Sequence, residues 1–191
     1  MINFPGLSRD DINRFTLRIL ECVQPRVIKG KEAFDVDSFI EILEDEMSID
    51  FDFTYDLPSE VHGCTSTIDS KVLIQAELAD DPWQIRYLRS TVTHECGHVL
   101  LHLPLLKKFS KDKTFTQKKM ENQGLNLYSN KPKEVYKDPE WQAWEFAGSI
   151  LMPKPVLITL AESGMSVRDM ADHFVVNNVF LRSRMRKLKM I

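Results

Sequence analysis

The ten-residue stretch THECGHVLLH, residues 93–102, holds three of the chain's five histidines. These histidines stand four residues apart, and Glu95 follows the first of them. If the stretch is helical, His94 and His98 lie one turn apart and project from the same face. Two neutral imidazoles placed in this way can share a tetrahedral Zn²⁺. The spacing therefore predicts a metal site on a helix.

The glutamate in this motif has a different geometry from the two histidines. Glu95 lies about 100° around the helix from His94, which is too far round for it to join as a ligand. It can instead hold a water at the metal, since zinc lowers the pKa of such a water to about 7 and a carboxylate can take its proton. Zinc peptidases use this H-E-x-x-H arrangement. Gly97 costs about 1 kcal/mol in a helix relative to alanine, and its small size lets another chain segment pass close to the metal.

A catalytic zinc needs a third protein ligand and an open position. Glu140 falls in the first turn of a helix predicted from residue 138, where the helix dipole favours an ionised carboxylate. Glu145 is about 140° further around the same helix, so the two glutamates cannot both face the metal. His62 and His173 stand alone in the sequence, and we expect packing or surface roles for both.

The third histidine of the motif, His102, continues its polar stripe. As a fourth ligand it would close the site and make the metal structural. We expect it instead to support a ligand histidine or simply to pack. Cys96 lies on the opposite side of the helix from His94, and we expect it to be a small core residue.

Two blocks of the chain resemble the ImmA/IrrE-type metallo-endopeptidases, peptidase family M78. The family motif Arg-x-Thr-x-x-His-Glu-x-Gly-His, followed by Leu-Leu-His, is matched by Arg89, Thr91, His94, Glu95, Gly97, His98, Leu100, Leu101 and His102. A downstream block is matched by Pro139, Glu140, Trp141, Gln142, Ala143, Phe146, Ala147, Gly148, Leu151, Met152 and Pro153. The resemblance covers roughly residues 35–185, and these two blocks carry it.

The resemblance implies a zinc endopeptidase with a gluzincin-like site. The residues it implies are the metal ligands His94, His98 and Glu140, with Glu95 as the general base. The implied cofactor is Zn²⁺, although two imidazoles and a carboxylate also accept Mn²⁺. The reaction further needs a donor to the oxyanion besides the metal, and chemistry alone offers Tyr128, Tyr136 and His173.

The chain departs from the family four residues after Glu140. Family members have Asp, Glu or Asn at that position, which can support a ligand histidine, and this chain has Trp144. Losing such support reduces metal affinity or activity by roughly 10–100-fold. Either Glu145 or a group elsewhere substitutes for it, or the site is weakened.

The elements that hold these residues follow from hydrophobic periodicity and turn signals. Helices are predicted over residues 8–29, 35–47, 80–103 and 138–153, and three strands over 49–55, 60–68 and 71–78. The lysine-rich residues 104–137 lack apolar periodicity, so we expect a long mobile insertion there, or a flap over a cleft. The tail, residues 161–191, has the spacing of two short helices.

The expected fold class is α+β, a mostly helical zincin-like metallopeptidase domain with a small three-stranded sheet packed beside the motif helix. This domain would span residues 1–160. A helix-turn-helix-like C-terminal segment, residues 161–191, would pack on the same domain.

Composition limits the compartment and the partners. The chain has 191 residues and a net charge of −3, so no overall field draws it to nucleic acid or an anionic membrane. Its three cysteines lack CxxC spacing, which argues against a disulfide framework. The N-terminus shows no signal-peptide pattern, and no run approaches the roughly 20 apolar residues of a membrane span. We expect a soluble cytoplasmic protein without a membrane partner.

Two functions remain. The resemblance implies an endopeptidase whose protein substrate is a helix-turn-helix transcriptional repressor of a mobile element or stress response. The alternative is a regulatory binding module, or a toxin–antitoxin component, that binds a repressor or DNA and keeps a structural or degenerate metal site. Its motivation is Trp144 and a basic tail, Arg182, Arg184, Arg186, Lys187 and Lys189. Such a tail is more often a solvated helix face, which leaves direct DNA binding open.

Overall fold

The computed structural model describes residues 4–108, 114–118 and 135–191. Its helices are α1 (Arg9–Val23), α2 (Val36–Met47), α3 (Glu77–Asp80), α4 (Ile85–Leu101), α5 (Leu103–Lys108), α6 (Pro139–Leu151), α7 (Lys154–Glu162), α8 (Val167–Phe174) and α9 (Asn178–Lys187). Its strands are β1 (Asp50–Thr54), β2 (Val61–Ser66), β3 (Lys71–Gln75) and β4 (Thr114–Lys118). Single turns of 3-10 helix lie at Pro82–Gln84 and Val135–Lys137. The predicted α+β class is confirmed.

Side-chain caps start several of these helices where the sequence predicts. The Ser8 side chain accepts from the Asp11 N–H, and the Asp11 carboxylate accepts from the Ser8 N–H, which begins α1. Asp138 caps α6 by accepting from the Glu140 N–H. Each such cap is worth about 1 kcal/mol. The cap at Asp138 matters for the site because it sets where Glu140 enters its helix.

Two helices differ in extent from the predicted ranges, and the first ends just before the proline that the sequence marks as its limit. The helix expected over residues 8–29 ends at Val23, before Pro25, because a residue preceding proline disfavours the helical conformation. The helix expected over residues 80–103 begins with a 3-10 turn at Pro82–Gln84 and continues as α4 from Ile85 to Leu101; the short helix α3 ends at Asp80, before it. The motif helix is therefore α4, and it is separate from the turn before it.

The sheet has four strands in the order β1-β3-β2-β4. β1 pairs with β3 in parallel, while β2 is antiparallel to both β3 and β4. The three predicted strands are present, but the expectation of three strands was wrong by one. β4 comes from residues 104–137, which also contribute α5, so part of the expected loop is regular structure. The reason is local alternation: Phe115 is buried while Thr114 and Thr116 are exposed.

The motif helix α4 packs closely on α6 at Gly97. A Cβ atom added to Gly97 would lie 3.0 Å from the Ala143 Cα and 3.2 Å from the Ala143 carbonyl oxygen. Backbone on the far side cannot give way as a flexible side chain can. The absence of a side chain at residue 97 thus brings the histidines of α4 within reach of Glu140 on α6, as the sequence motif predicts.

Alanine at this position is expected to cost stability and to loosen the site. We expect Gly97→Ala to destabilise the protein by up to about 2 kcal/mol. Overpacking costs about 1–3 kcal/mol, and the better helix propensity of alanine recovers about 1 kcal/mol. Urea unfolding monitored by circular dichroism measures this difference. Gly148→Ala on α6 is the matched control, because the nearest atom to its added Cβ is the Arg184 Cδ at 3.5 Å. Equal stability of the two variants would contradict the packing argument.

The larger of two hydrophobic clusters among the described residues packs the helices against the sheet and includes the tail, and the smaller contains Phe4, Leu106 and Phe115. Met170 and Phe174 of α8 and Leu181 and Met185 of α9 are buried in the larger cluster. The two tail helices lie where the sequence predicts them. Within the part of the chain that the structure describes, no helix combines the length and apolar character needed to cross a membrane.

The basic residues of α9 divide between the surface and the interior. Arg184 and Lys187 turn inward toward Glu145 on α6, while Arg182 and Arg186 are exposed. Arg184 is 2% exposed and donates to the Asn13 Oδ1 on α1 at 2.6 Å. Two of the five basic residues of the tail therefore dock α9 onto α6 and α1, while Arg182, Arg186 and Lys189 are exposed.

Candidate metal centre

Three side chains from two helices meet above the Gly97 contact. The Nε2 atoms of His94 and His98 are 3.1 Å apart. The two carboxylate oxygens of Glu140 lie 3.3 Å from the His94 Nε2 and 3.5 Å from the His98 Nε2. Ligand atoms at about 2.0–2.1 Å from a tetrahedral zinc are separated by about 3.3 Å. The three groups thus have the spacing of a metal-binding triad.

The triad is closed at its base and open on one side. His94 and His98 are fully buried, whereas the Glu140 side chain is 45% exposed. Burial lowers the pKa of His98 to about 3, so its ring is neutral. Burial opposes ionisation of Glu140, but its contacts with the two rings outweigh burial and hold its pKa below the ordinary range. The site therefore offers neutral imidazole and an ionised carboxylate, the forms that ligate metals.

These donors fit Zn²⁺ or Mn²⁺. Two imidazole nitrogens and one carboxylate are a catalytic zinc set with one position left for water or substrate. The two Nε2 atoms and the Glu140 carboxylate face one another at distances that would let one cation contact all three side chains. The open side at Glu140 gives the entry path that such a site needs.

Glu95 lies beside the triad, pressed against β2. Thr65 donates a hydrogen bond to the Glu95 Oε2 at 2.5 Å, and the Oε1 atom has no hydrogen-bond partner among the described residues. A Cβ added to Gly63 would lie 2.6 Å from that Oε1 atom, so only glycine leaves room for the carboxylate. Burial raises the pKa of Glu95 to about 8; the Thr65 hydrogen bond opposes this shift, and the Glu140 charge adds to it.

His98 is supported from behind by a polar chain that leads to α6. Its Nδ1 lies 3.0 Å from the His102 Nδ1, and the His102 Nε2 lies 2.9 Å from the Gln142 Oε1. The Phe115 ring of β4 stacks on the His98 ring at 4.1 Å with planes 19° apart. His102 is therefore not in the triad; it contacts a predicted ligand, as expected of a supporting residue.

His94 lacks a comparable support. Its Nδ1 is buried, and the described residues supply no hydrogen-bond partner for it. The Trp144 ring packs against the imidazole instead, with centroids 4.4 Å apart, and its other side meets Phe180 at 6.0 Å. The buried nitrogen without a described partner thus belongs to the histidine that Trp144 contacts.

Glu145 does not substitute for that missing acceptor, which corrects one sequence-based alternative. It points away from the triad and is 1% exposed. Its carboxylate lies 2.9 Å from the Arg9 Nε and 2.5 Å from the Lys187 Nζ. The physical reason is helical phase, since five residues after Glu140 the side chain faces α1 and α9.

The structure gives little support to the three candidate oxyanion donors. Tyr136 is 45% exposed, and its ring packs over Gly6. His173 lies on α8 with its ring 4.9 Å from that of Phe174, and it is not among the residues that could hold the metal. Tyr128 lies outside the described residues. The donor's identity stays a prediction.

Other residues near the site carry no signal that sequence analysis could use. Thr65 and Gly63 reach the site because β2 lies against α4, a contact between segments far apart in the sequence.

Two residues that were expected to pack are indeed buried. His62 has its Nδ1 2.7 Å from the Tyr87 hydroxyl oxygen. Cys96 is fully buried, and burial raises the pKa of its thiol, in agreement with a core role.

The fold and the site together define a small α+β domain with a two-histidine, one-carboxylate centre carried by a pair of packed helices. Comparison with solved structures finds a similar fold in a Mycobacterium tuberculosis transcriptional regulator. The TM-score is 0.60 at 11% sequence identity, and the match covers 92% of this chain and 46% of that one. This chain thus spans about half the length of that regulator. No family model matches the chain, and no curated protein matches it.

Proposed function

We propose that the chain is a zinc-dependent endopeptidase, with His94, His98 and Glu140 as ligands and Glu95 as the general base. The observation that carries the proposal is the convergence of two histidine side chains and the Glu140 carboxylate beside a buried carboxyl group, that of Glu95. A bound cation would supply Lewis acidity toward a peptide carbonyl and an attacking water. Mn²⁺ suits the same donors.

The chain's own residues then have separate tasks. Thr65 donates to the Glu95 Oε2, and Oε1 has no partner among the described residues, so Oε1 would take a proton from an attacking water once a bound cation lowers the raised pKa of Glu95. Gly63 has no side chain, so β2 packs directly against the Glu95 carboxyl group. Phe115 and Trp144 cover the faces of the two histidines and exclude water from them. Exclusion of water strengthens each electrostatic interaction at the site.

We infer that the substrate is a helix-turn-helix transcriptional repressor cut at one site. Two observations support this substrate class. The two sequence blocks resemble the ImmA/IrrE-type family, and the fold neighbour is described as a transcriptional regulator. A role in transcriptional regulation is common to both.

The test is a cleavage assay on the helix-turn-helix repressors encoded next to the gene. The zinc-loaded protein is expected to cut one of them at a single position, read by gel and mass spectrometry. Glu95→Gln is expected to slow cleavage by roughly 10²–10⁴-fold, the usual contribution of a general base, with zinc content unchanged. Intact repressors after incubation with the wild type would refute the peptidase assignment.

A regulatory binding module is the second candidate, and it is favoured by the His94 Nδ1, which has no hydrogen-bond partner among the described residues and belongs to the ring that Trp144 contacts. In this case the protein binds a repressor or DNA, and the metal has a structural role or is held weakly. Titrating a repressor into the wild type and into Glu95→Gln distinguishes the two candidates. A binding module binds the repressor equally well in both proteins and cuts it in neither. Cleavage by the wild type would exclude it.

A further inference from the structure

The hydrogen bonds of the polar chain behind His98 have a fixed donor and acceptor at each step, and the orientation of the Gln142 side chain sets them. The Gln142 Nε2 donates to the Pro5 carbonyl oxygen at 2.9 Å and to the Tyr136 carbonyl oxygen at 2.6 Å. Rotating this amide by half a turn would place an amide oxygen against two carbonyl oxygens. The Gln142 Oε1 must therefore face His102, and it can only accept a hydrogen bond.

The orientation of Gln142 determines which nitrogen of His102 carries a proton, and His102 in turn determines this for His98. Since the Gln142 Oε1 accepts, the His102 Nε2 carries a proton, and in a neutral imidazole the Nδ1 is then an acceptor. The His98 Nδ1 faces that acceptor at 3.0 Å and so carries a proton of its own. The remaining His98 nitrogen, Nε2, keeps its lone pair and lies in the triad, 3.5 Å from Glu140.

We propose that Gln142 and His102 are positioning residues that hold His98 in the tautomer with its proton on Nδ1 and so aim the Nε2 lone pair at the cation. This inference rests on the proposed metal site and concerns its preorganisation. A ligating histidine commonly donates its second ring N–H to an acceptor, and such partners are worth roughly 10–100-fold in metal affinity. Here the acceptor is a second histidine, whose own tautomer is set by a backbone-anchored amide.

Neighbouring groups hold this relay, the hydrogen-bonded chain of Gln142, His102 and His98, in place. His102 is fully buried, and the Phe4 ring meets its ring edge-on with centroids 5.1 Å apart. The two carbonyls that orient Gln142 belong to the chain before α1 and to the turn before α6. These segments are joined, because the Leu7 N–H donates to the Tyr136 carbonyl oxygen at 3.0 Å. The segment that contains Pro5 thus helps to set the tautomer of His98 in the metal site.

The arrangement of His98 differs from that of His94. The relay fixes both nitrogens of His98, whereas the His94 Nδ1 has no partner among the described residues. The two ligand histidines are therefore preorganised to different degrees. Weakening the relay removes the one oriented imidazole of the triad, which predicts a loss of metal affinity without a change in donor set.

The experiment reads the tautomer of His98 directly in the metal-free protein, by ¹⁵N NMR of labelled imidazoles. The wild type is expected to show a protonated Nδ1 and an unprotonated Nε2 at His98. Gln142→Leu and His102→Leu remove the relay, and both are expected to give a mixed tautomer and to weaken zinc binding by roughly 10–100-fold in chelator competition. His102→Asn keeps an acceptor at the position of Nδ1, and we expect it to retain the tautomer.

Ser149→Ala is the matched control for these substitutions. Ser149 is a buried polar residue of the same helix, and its hydroxyl donates to the Asn13 Oδ1 at 2.7 Å, away from the triad. The control is expected to lose stability but to keep the His98 tautomer and the zinc affinity. A His98 with its proton on Nε2 in the wild type would overturn the inference, whatever the variants do. Failure to cut a repressor, with the tautomer as stated, would count against the peptidase assignment alone.

Discussion

Glutamine in place of Glu145 is expected to destabilise the protein by about 3–5 kcal/mol, the cost of leaving buried charges without their partner. The Glu145 carboxylate is 1% exposed and lies within reach of Arg9, Lys187 and Arg184, which belong to α1 and α9. Arg184 is itself 2% exposed, and burial lowers its pKa to about 10. Removing the only negative charge that these described contacts provide would leave the cations facing one another in the interior.

The same carboxylate gives the stability a pH dependence of known sign. Burial alone would raise the pKa of Glu145, but the charges of Lys187 and Arg9 outweigh burial and hold it below the ordinary value of 4.5. A group with a depressed folded pKa stabilises above its unfolded pKa, and that stability is lost as the pH falls through the folded value. The difference between wild type and Glu145→Gln is therefore expected to shrink below about pH 4.5.

Urea unfolding at pH 7 and pH 4 measures both effects. Glu32→Gln is the matched control, since Glu32 forms an exposed ion pair with Arg26 at 2.6 Å. Exposed pairs contribute about 0–1 kcal/mol. A Glu145 variant that unfolds at the same urea concentration as the Glu32 variant at pH 7 would show that the cluster does not hold α9 in place.

An aspartate in place of Trp144 is expected to tighten zinc binding by roughly 10–100-fold relative to an alanine there. Trp144 packs on the His94 ring, and the His94 Nδ1 has no acceptor in the described part of the chain. A carboxylate at residue 144 would accept from that nitrogen, orient the ring and make it more basic. Both substitutions remove the indole, so they share the cost of the cavity against Phe180.

Chelator competition on the two purified variants gives the comparison. Circular dichroism checks that both are folded at the temperature of the titration. Equal zinc affinities for Trp144→Asp and Trp144→Ala would mean that the His94 Nδ1 is not limiting. The same result would remove the main structural argument for a weakened site.

The triad could be predicted from the sequence because its determinants are local. The helical spacing of His94 and His98 and the cap at Asp138 each act within one turn of a helix, whereas Gly97 acts through its contact with Ala143 on α6. The first-turn position of Glu140 marked it as a candidate third ligand, and the family resemblance implied its pairing with the two histidines.

The parts that sequence analysis missed depend on contacts between distant segments. The supporting chain from Gln142 to His98 arises where two helices and the N-terminal segment meet. Thr65 reaches Glu95 only through the register of β2 against the sheet, and a shift of one residue would turn it to the other face. Glu145 was a reasonable candidate for the site by proximity in sequence, yet the basic residues of α9 hold it elsewhere.

Zinc content tests the metal centre most directly. Elemental analysis of the purified wild type, Glu140→Ala and Glu162→Ala compares the proposed ligand with an exposed glutamate at the end of α7. We expect about one zinc per chain in the wild type and in Glu162→Ala, and a large loss in Glu140→Ala, because two imidazoles alone leave the tetrahedral set short of a protein ligand. A wild type that binds no zinc or manganese, or a Glu140→Ala variant that binds as well as the wild type, would contradict the proposed centre.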